Sequence, residues 1–304
     1  MTSMRGHRQT VGTFDVGGTH VSGALVDRST WHVIPDSSVT LALDSAATSD
    51  VVLDALAMCA EQVLDRAADR AISTQWGVAM PGPFDYRSGI GRFEGVAKFA
   101  SLNGVNVGAA LVDRLAPRVD RFAFINDANA YMLGEWLAGA ALGLDRVIGI
   151  TLGTGVGSAF LADGVIIDEG DVVPPGGYVY LLEVDGRPLE ETVSRRALRR
   201  SYATLVGTEV DLDVREIAEL AREGDPAAAR VMSSTYERLG QLLAPWATRF
   251  DAQAIVVGGS IARAWDLVAP ALREGLGDWP GELRQSLLFA DAALIGAASA
   301  AVKG

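Results

Sequence analysis

The chain has 304 residues, is 49% hydrophobic and 21% charged, and sets 26 Lys and Arg against 38 Asp and Glu for a formal net charge of −12. That composition describes a globular protein of one large or two medium domains, and its acidic balance excludes a nucleic-acid surface, which needs clustered Lys and Arg against phosphate. The lone Cys59 forbids a disulfide framework or a Cys cage for zinc, and with only His7, His20 and His32, all near the start, chemistry built on several His is not expected.

Residues 1–11 are polar and lack the apolar stretch of a signal peptide. The longest uncharged segment, 147–162, is interrupted by glycines and falls short of the ~20 apolar residues of a membrane span, so the expected compartment is the cytoplasm. The first regular pattern is a hairpin: a strand over 12–16, a Gly17-Gly18-Thr19 turn and a returning strand over 21–26. Ser49 then caps a predicted helix over 50–70, whose buried stripe is Val52, Leu56, Cys59 and Val63. A strand over 76–80 is stopped by Pro81-Gly82-Pro83, and a strand over 122–125 runs into Asn126-Asp127-Ala128-Asn129 before a helix over 130–142.

A second hairpin comes next, with strands over 146–152 and 156–162 around Gly153-Thr154-Gly155. The two strand–turn–strand units lie about half the chain apart, which reads as an internal duplication. Helices are expected over 193–205 and 213–222. A long helix is capped by Asp225, has Pro226 in its first turn and reaches about 250, with Pro245 bending it. A strand over 254–257 leads into Gly258-Gly259-Ser260 and a helix, and an Ala-rich helix over 292–302 closes the chain. The boundary is placed near Ile125. Residues 1–124 with 290–304 then form an N-terminal α/β domain carrying the first hairpin. Residues 125–289 form a C-terminal α/β domain carrying Asp127 and the later glycine loops.

Gly153-x-Gly155-x-Gly157 lacks the spacing of a dinucleotide fingerprint and is followed by a strand rather than a helix, so that reading is excluded. Glycines at φ > 0 would instead let backbone N–H groups converge on an anion, with Thr19 and Thr154 adding hydroxyl donors. Asp15 could hold Mg²⁺ through water. The competing view is that these are ordinary tight turns and that Asp15 caps one of them. Duplicated turns, together with Gly258-Gly259-Ser260 at a helix N-terminus, point to a nucleoside triphosphate held by two halves. Asp127 reads either as a helix N-cap or as a carboxylate that accepts a proton from a substrate hydroxyl facing the phosphate site.

Six segments occur in an order that resembles the ROK family (repressors, open reading frames and sugar kinases). They are Asp15-Val-Gly-Gly-Thr19, Pro81-Gly-Pro83, Asn126-Asp-Ala-Asn129, Thr151-Leu-Gly-Thr-Gly-Val-Gly157, Val257-Gly-Gly-Ser260 and Leu294-Ile-Gly-Ala297, and together they span about 11–302. The resemblance implies an α/β protein with the two-domain actin-like, hexokinase-type (ribonuclease H-like) fold and an interdomain cleft. It further implies an ATP- and Mg²⁺-dependent hexose kinase and a homodimer. Asp127 then matches the catalytic base and Asn126 a sugar-hydroxyl ligand. The turns at Asp15, Gly17, Gly18 and Thr19 and at Gly153, Thr154 and Gly155 match the phosphate loops. Gly258 and Gly259 match the adenosine-side loop, and Gly82, Lys98 and Asn103 fall on the sugar side.

The departures are specific. Where typical members carry Gly-Glu-x-Gly-His and a Cys-rich zinc site, this chain has Val173-Pro-Pro-Gly-Gly-Tyr178-Val-Tyr180 and no Cys, so no structural zinc site is expected. The pattern resumes at Leu189-Glu190, which makes Glu190 the match for a later sugar-binding glutamate, or else a solvated first-turn carboxylate. Tyr178 and Tyr180 either replace lost hydroxyl contacts or pack. Arg195, Arg196, Arg199 and Arg200 read as a solvated or subunit-facing basic helix face, Trp76, Trp136 and Trp246 as packing, and Cys59 as a small buried hydrophobe. The leading expectation is a sugar kinase with no nucleic-acid or membrane partner. The alternative is a sugar-binding member without kinase activity. A repressor, which needs a helix-turn-helix domain ahead of the first hairpin, is not expected.

Overall fold

The computed structural model describes residues 9–67, 70–184, 186–208 and 211–303. His7, most of the polar N-terminal segment and the junction just before Arg70 lie outside the described residues. The chain divides into two compact units, 1–138 with 290–304, and 139–289.

In the first unit the order is β1 (Thr10–Val16), β2 (His20–Asp27), β3 (His32–Val33), β4 (Val39–Ala42), α1 (Ser49–Asp65), β5 (Gln75–Met80), β6 (Phe84–Asp85), β7 (Ile90–Gly91), α2 (Val107–Leu115), β8 (Arg121–Asn126) and α3 (Asp127–Ala138). The second unit holds β9 (Arg146–Leu152), β10 (Val156–Ala162), β11 (Val165–Ile166), β12 (Glu183–Val184), β13 (Arg187–Pro188), α4 (Glu190–Val193), α5 (Arg195–Val206), α6 (Val214–Arg222), α7 (Pro226–Arg249), β14 (Ala254–Gly258), α8 (Trp265–Leu276) and β15 (Glu282–Gln285). The last helix, α9 (Ala290–Lys303), returns to the first unit.

The two sheets share one plan. In the first unit the order is β3-β2-β1-β5-β8, with β4 also on β2; in the second it is β11-β10-β9-β14-β15. In each, an antiparallel hairpin continues into two parallel strands. Parallel strands buried on both faces read as near-continuous apolar runs, as β5 and β14 do. The first core packs Phe14 against Trp76 at 5.4 Å and against Phe122 at 6.2 Å between ring centroids. Gly12 lies beneath that indole, where a Cβ would fall 2.1 Å from Trp76 Cε2. Cys59 is fully buried in the same core, and burial pushes its thiol up to about 12, so it packs as an inert apolar group.

Several boundaries differ from the sequence reading. The residue flanking α1 is Thr48, whose side chain makes no capping bond, and Ser49 is already helical. Helix α3 begins at Asp127 rather than near 130. The segment 125–138 belongs to the first unit, because β8 pairs with β5 and α3 packs on α9. The boundary therefore lies after Ala138, and Asp127 sits in the same unit as the first hairpin. Asp225 and Asp213 do cap α7 and α6, the latter with a reciprocal bond from Glu216. The basic face of α5 is largely paired: Arg195 bonds Asp213, and Arg199 bonds Asp211 and the Leu212 carbonyl.

Helix α3 is set by close backbone contact. A Cβ on Gly134 would lie 2.0 Å from the Ala292 carbonyl oxygen, and one on Gly296 would lie 1.8 Å from that of Ala130. A Cβ on Gly77 of β5 would lie 1.9 Å from the carbonyl oxygen of Ala297. Only bare Cα atoms let α9 reach both α3 and β5 at this separation. Because no flexible side-chain end can yield here, Gly296→Ala should destabilise the protein by about 1–3 kcal/mol. A urea midpoint unchanged from wild type would show that α3 and α9 separate without cost.

Candidate functional site

In the first unit the site forms at the C-terminal ends of the parallel strands, the edge at which open α/β sheets bind ligands. Register brings the pieces together: Asp15 pairs with Ala79, Ala79 with Ile125, and Met80 with Asn126. The Gly17-Gly18-Thr19 turn, the Pro81-Gly82-Pro83 stop and the start of α3 therefore leave the sheet side by side.

The two readings of Asp127 separate at this point. The α3 N-terminus is capped by its neighbour, since Asn126 Oδ1 accepts from the backbone N–H of Ala128 at 3.1 Å and of Asn129 at 3.2 Å. Asp127 Oδ1 accepts from Ala128 N–H at 2.9 Å, but the helix does not depend on it. Its carboxyl is only partly exposed, and burial raises its pKa above the usual carboxylate range against the lowering effects of the Ala128 amide, the Asn126 side chain and the Lys98 ammonium. Asp15 is pushed up to about 7, chiefly by burial and then by the charge of Asp127. The Asp127 charge thus adds to burial in holding the proton on Asp15.

Lys98 belongs to this group. Its Cδ and Cε lie 3.4 Å from where a Gly18 Cβ would be, and its charge acts on Asp127. The lysine stem thus passes in van der Waals contact with the Gly18 position. The left-handed backbone expected at the turns is absent: none of Gly17, Gly18, Gly153 and Gly155 adopts it. Gly17 is held close to the His20 carbonyl, to which its N–H donates at 2.9 Å. The carbonyls of Gly18 and Thr19 accept from Ser45 and Leu43, pinning the turn from its outer side. The Thr19 hydroxyl is exposed and bonds His20 Nδ1 at 3.2 Å. Asn103 is exposed and pairs through its backbone with Gly91, so it lies with the β6–β7 ribbon.

In the second unit Gly258 pairs with Thr151, which sets the Gly153–Gly155 turn beside Gly258-Gly259-Ser260. Gly259 is left-handed at φ +84°, and a Cβ there would lie 2.3 Å from the Leu152 carbonyl oxygen, so only glycine fits. The α-helix N-terminus expected directly after Ser260 is displaced: a short 3₁₀ turn over Ile261–Ala264 intervenes before α8. Glu190, the first residue of α4, lies against the other turn, with its Oε1 2.5 Å from a Gly155 Cβ position. Thr154 is exposed at the turn's tip. The Tyr178 and Tyr180 rings lie 5.3 Å apart, and burial, then the charges of Tyr178 and Glu190, raise the Tyr180 phenol. The pair thus neighbours Glu190 on the segment that departs from the family pattern. Among the described residues no group of three or more His, Cys, Asp or Glu is arranged to hold a metal ion, and no helix is long and apolar enough to cross a membrane.

Sequence reasoning missed Tyr86. It stands in the turn of the β6–β7 ribbon, its hydroxyl donating to the Met80 carbonyl at 3.1 Å and accepting from Asn126 Nδ2 at 3.2 Å. No spacing rule joins a turn tyrosine to a strand end forty positions later.

The Asp15 shift carries a stability consequence. A carboxyl whose native pKa is raised stabilises the fold when neutral, and that contribution is lost as pH rises from about 4 through about 7. Asp15→Asn should therefore stabilise the free protein at pH 8 by about 1–2 kcal/mol, a value discounted for partial exposure, and should gain nothing at pH 4. Denaturant midpoints measured across that range check this, and a difference independent of pH would contradict it.

The comparisons with known proteins agree with this architecture. The ROK family model matches residues 11–301. A glucokinase of Thermotoga maritima is 30% identical over 274 residues, covering 81% of this chain and 84% of the relative. The ROK hexokinase structure from Thermus thermophilus aligns at a TM-score of 0.78 with 27% identity, over 97% of this chain and 98% of that one. A Streptomyces griseus ROK glucokinase, solved with glucose and AMPPNP, aligns at 0.77 with 24% identity over 97% of this chain and all of that one, a likeness of fold. The family model covers nearly the whole chain and the fold is shared with these sugar kinases, so the chain belongs to the ROK family.

Proposed function

We propose that this chain is an ATP-dependent kinase of a hexose or hexose derivative, with Asp127 as the general base on the attacking hydroxyl. The observation that carries the reading is the division of labour at the start of α3. Asn126 caps the helix, and the Asp127 carboxylate is thereby kept for a ligand proton.

Phosphoryl transfer asks little of a protein beyond position and charge. Asp127 would orient the acceptor hydroxyl and take its proton, and its raised pKa brings it closer to the operating pH, where a base is most effective. Lys98 supplies the positive charge beside the Gly17-Gly18-Thr19 turn, in a chain whose net charge is −12. Mg²⁺ bound with the nucleotide neutralises phosphate charge, and Asp15 fits an outer ligand to it through water. Gly153, Thr154 and Gly155 with Gly258 and Gly259 would receive the nucleotide. Asn126, Glu190 and the bare Cα of Gly82 would meet the sugar. The glucokinase and hexokinase relatives support the reaction class. A cytoplasmic homodimer belongs to the same reading and rests on the family resemblance; light scattering on the purified protein tests the dimer.

The decisive experiment is a coupled ADP-release assay across a panel of hexoses and amino sugars, run on wild type and Asp127→Asn. The variant should lose about 10²–10⁴-fold in kcat, the usual share of a general base, with the KM for ATP within about twofold. In wild type, kcat/KM should fall on acidification from a point above the ordinary carboxylate range, since the base works only when ionised. Equal turnover by Asp127→Asn would remove Asp127 from the role. Sugar binding without turnover in wild type would leave a binding protein that is not a kinase.

A further inference from the structure

We infer that Tyr86 is a positioning residue for the acceptor sugar, acting through Asn126; the inference rests on the reading of Asn126 as a sugar contact. The Asn126 amide has one oxygen and two N–H donors to place. Its oxygen receives the N–H groups of Ala128 and Asn129. The opposite flip would set NH₂ against two donors, so the orientation is determined by chemistry. The nitrogen therefore faces away from the helix and donates to Tyr86 Oη at 3.2 Å.

The hydroxyl has a single hydrogen, given to the Met80 carbonyl at 3.1 Å, so toward Asn126 it can only accept. Donation thus runs one way, from Asn126 to Tyr86 to the backbone end of β5. It consumes one Nδ2 hydrogen and holds the other in a defined plane on the side of the Asp127 carboxylate, whose pKa the Asn126 side chain lowers, where an acceptor oxygen set against Asp127 would meet it. Two further features keep the hydroxyl there. The Tyr86 ring packs on Phe84 at 5.5 Å, and Phe84 is itself buried against Phe93 and Phe124. Gly82 leaves the space open, since a Cβ there would lie 3.2 Å from Tyr86 Oη. The phenol therefore ties the end of β5 to the last residue of β8 by hydrogen bonds, beside the bare Cα of Gly82. Asn126 then presents its second N–H as a rigid donor beside Asp127, and a site built around such a donor discriminates strongly against a ligand lacking the matching oxygen.

The test compares wild type, Tyr86→Phe and Gly82→Ala by steady-state kinetics, by calorimetric binding of hexoses and by monodeoxy analogues of the best-bound sugar. Tyr86→Phe should raise the sugar KM and dissociation constant about tenfold, the scale of one misaligned hydrogen bond. The KM for ATP should stay within about twofold and the melting midpoint within a few degrees. Gly82→Ala should shift sugar affinity in the same direction. One deoxy analogue, the sugar lacking the oxygen that Asn126 meets, should lose its penalty in Tyr86→Phe while the others keep theirs. A merely structural tyrosine would weaken all analogues equally or lower the melting midpoint with both KM values. Either result, or unchanged sugar affinity in Tyr86→Phe, overturns the proposal and leaves the kinase reading intact. A wild type that binds no sugar overturns both.

Discussion

The first unit depends on a contact in which backbones meet without side chains between them. Helix α9 comes from the end of the chain, yet it lies against α3 through Gly134 and Gly296 and against β5 through Gly77 and the Ala297 carbonyl. Glycine inside a helix costs propensity relative to Ala and gives up conformational entropy on folding. The close approach offsets that by burying the Ala-rich face of α9 on strand and helix together. Asp127 is the first residue of α3, so the position of this candidate carboxylate is set by how tightly its helix can seat. The second unit uses the same device where Gly240 and Gly275 let α7 and α8 touch, with a Gly275 Cβ placed 1.9 Å from the Glu237 carbonyl oxygen.

Electrostatics at the strand edge depends on that seating. Asp15 and Asp127 end adjacent structural segments and are screened from water, so each resists ionisation. Protein backbones tolerate such a pair only where something opposes it, and here the Ala128 amide and the Lys98 ammonium do so. An acidic protein that receives an anionic nucleotide must rely on local donors rather than on its overall field. At the glycine turns the chain comes close to itself: Lys98 lies against Gly18, the Glu190 carboxyl overlies Gly155, and Gly153 lies beside Ser260.

Much of this was legible in the residues. Both hairpins, the strands after them, the cap at Asp225 and the glycine turns arise from periodicity and turn chemistry, which act over a few positions. The fold class and the family followed from six ordered segments. Less local features were not legible. Residues 125–138 looked like the opening of the second half because a strand and helix preceded the second hairpin, but hydrogen bonding to β5 and packing on α9 assign them to the first. Glycine at 17, 18, 153 and 155 was read as conformational licence, but none of the four is left-handed; close neighbours meet only positions 17 and 155, the His20 carbonyl and the Glu190 carboxyl. A helix was expected straight after Ser260, and the left-handed turn at Gly259 gives a 3₁₀ segment.

The sequence by itself determined the fold class, the family and which turns carry glycine, because those are written in residue type, short spacing and the order of motifs. Tertiary structure alone decided how they divide the work. Asn126 rather than Asp127 caps α3, Lys98 comes to Gly18 from a distant loop, and Tyr86 reaches Asn126 across two strands. The last two are contacts between segments far apart in the chain, fixed by strand register and by how closely two segments can approach, and neither quantity has a local signature; the cap is local, but Asn126 and Asp127 are both capping residue types, so only the backbone's placement chose between them.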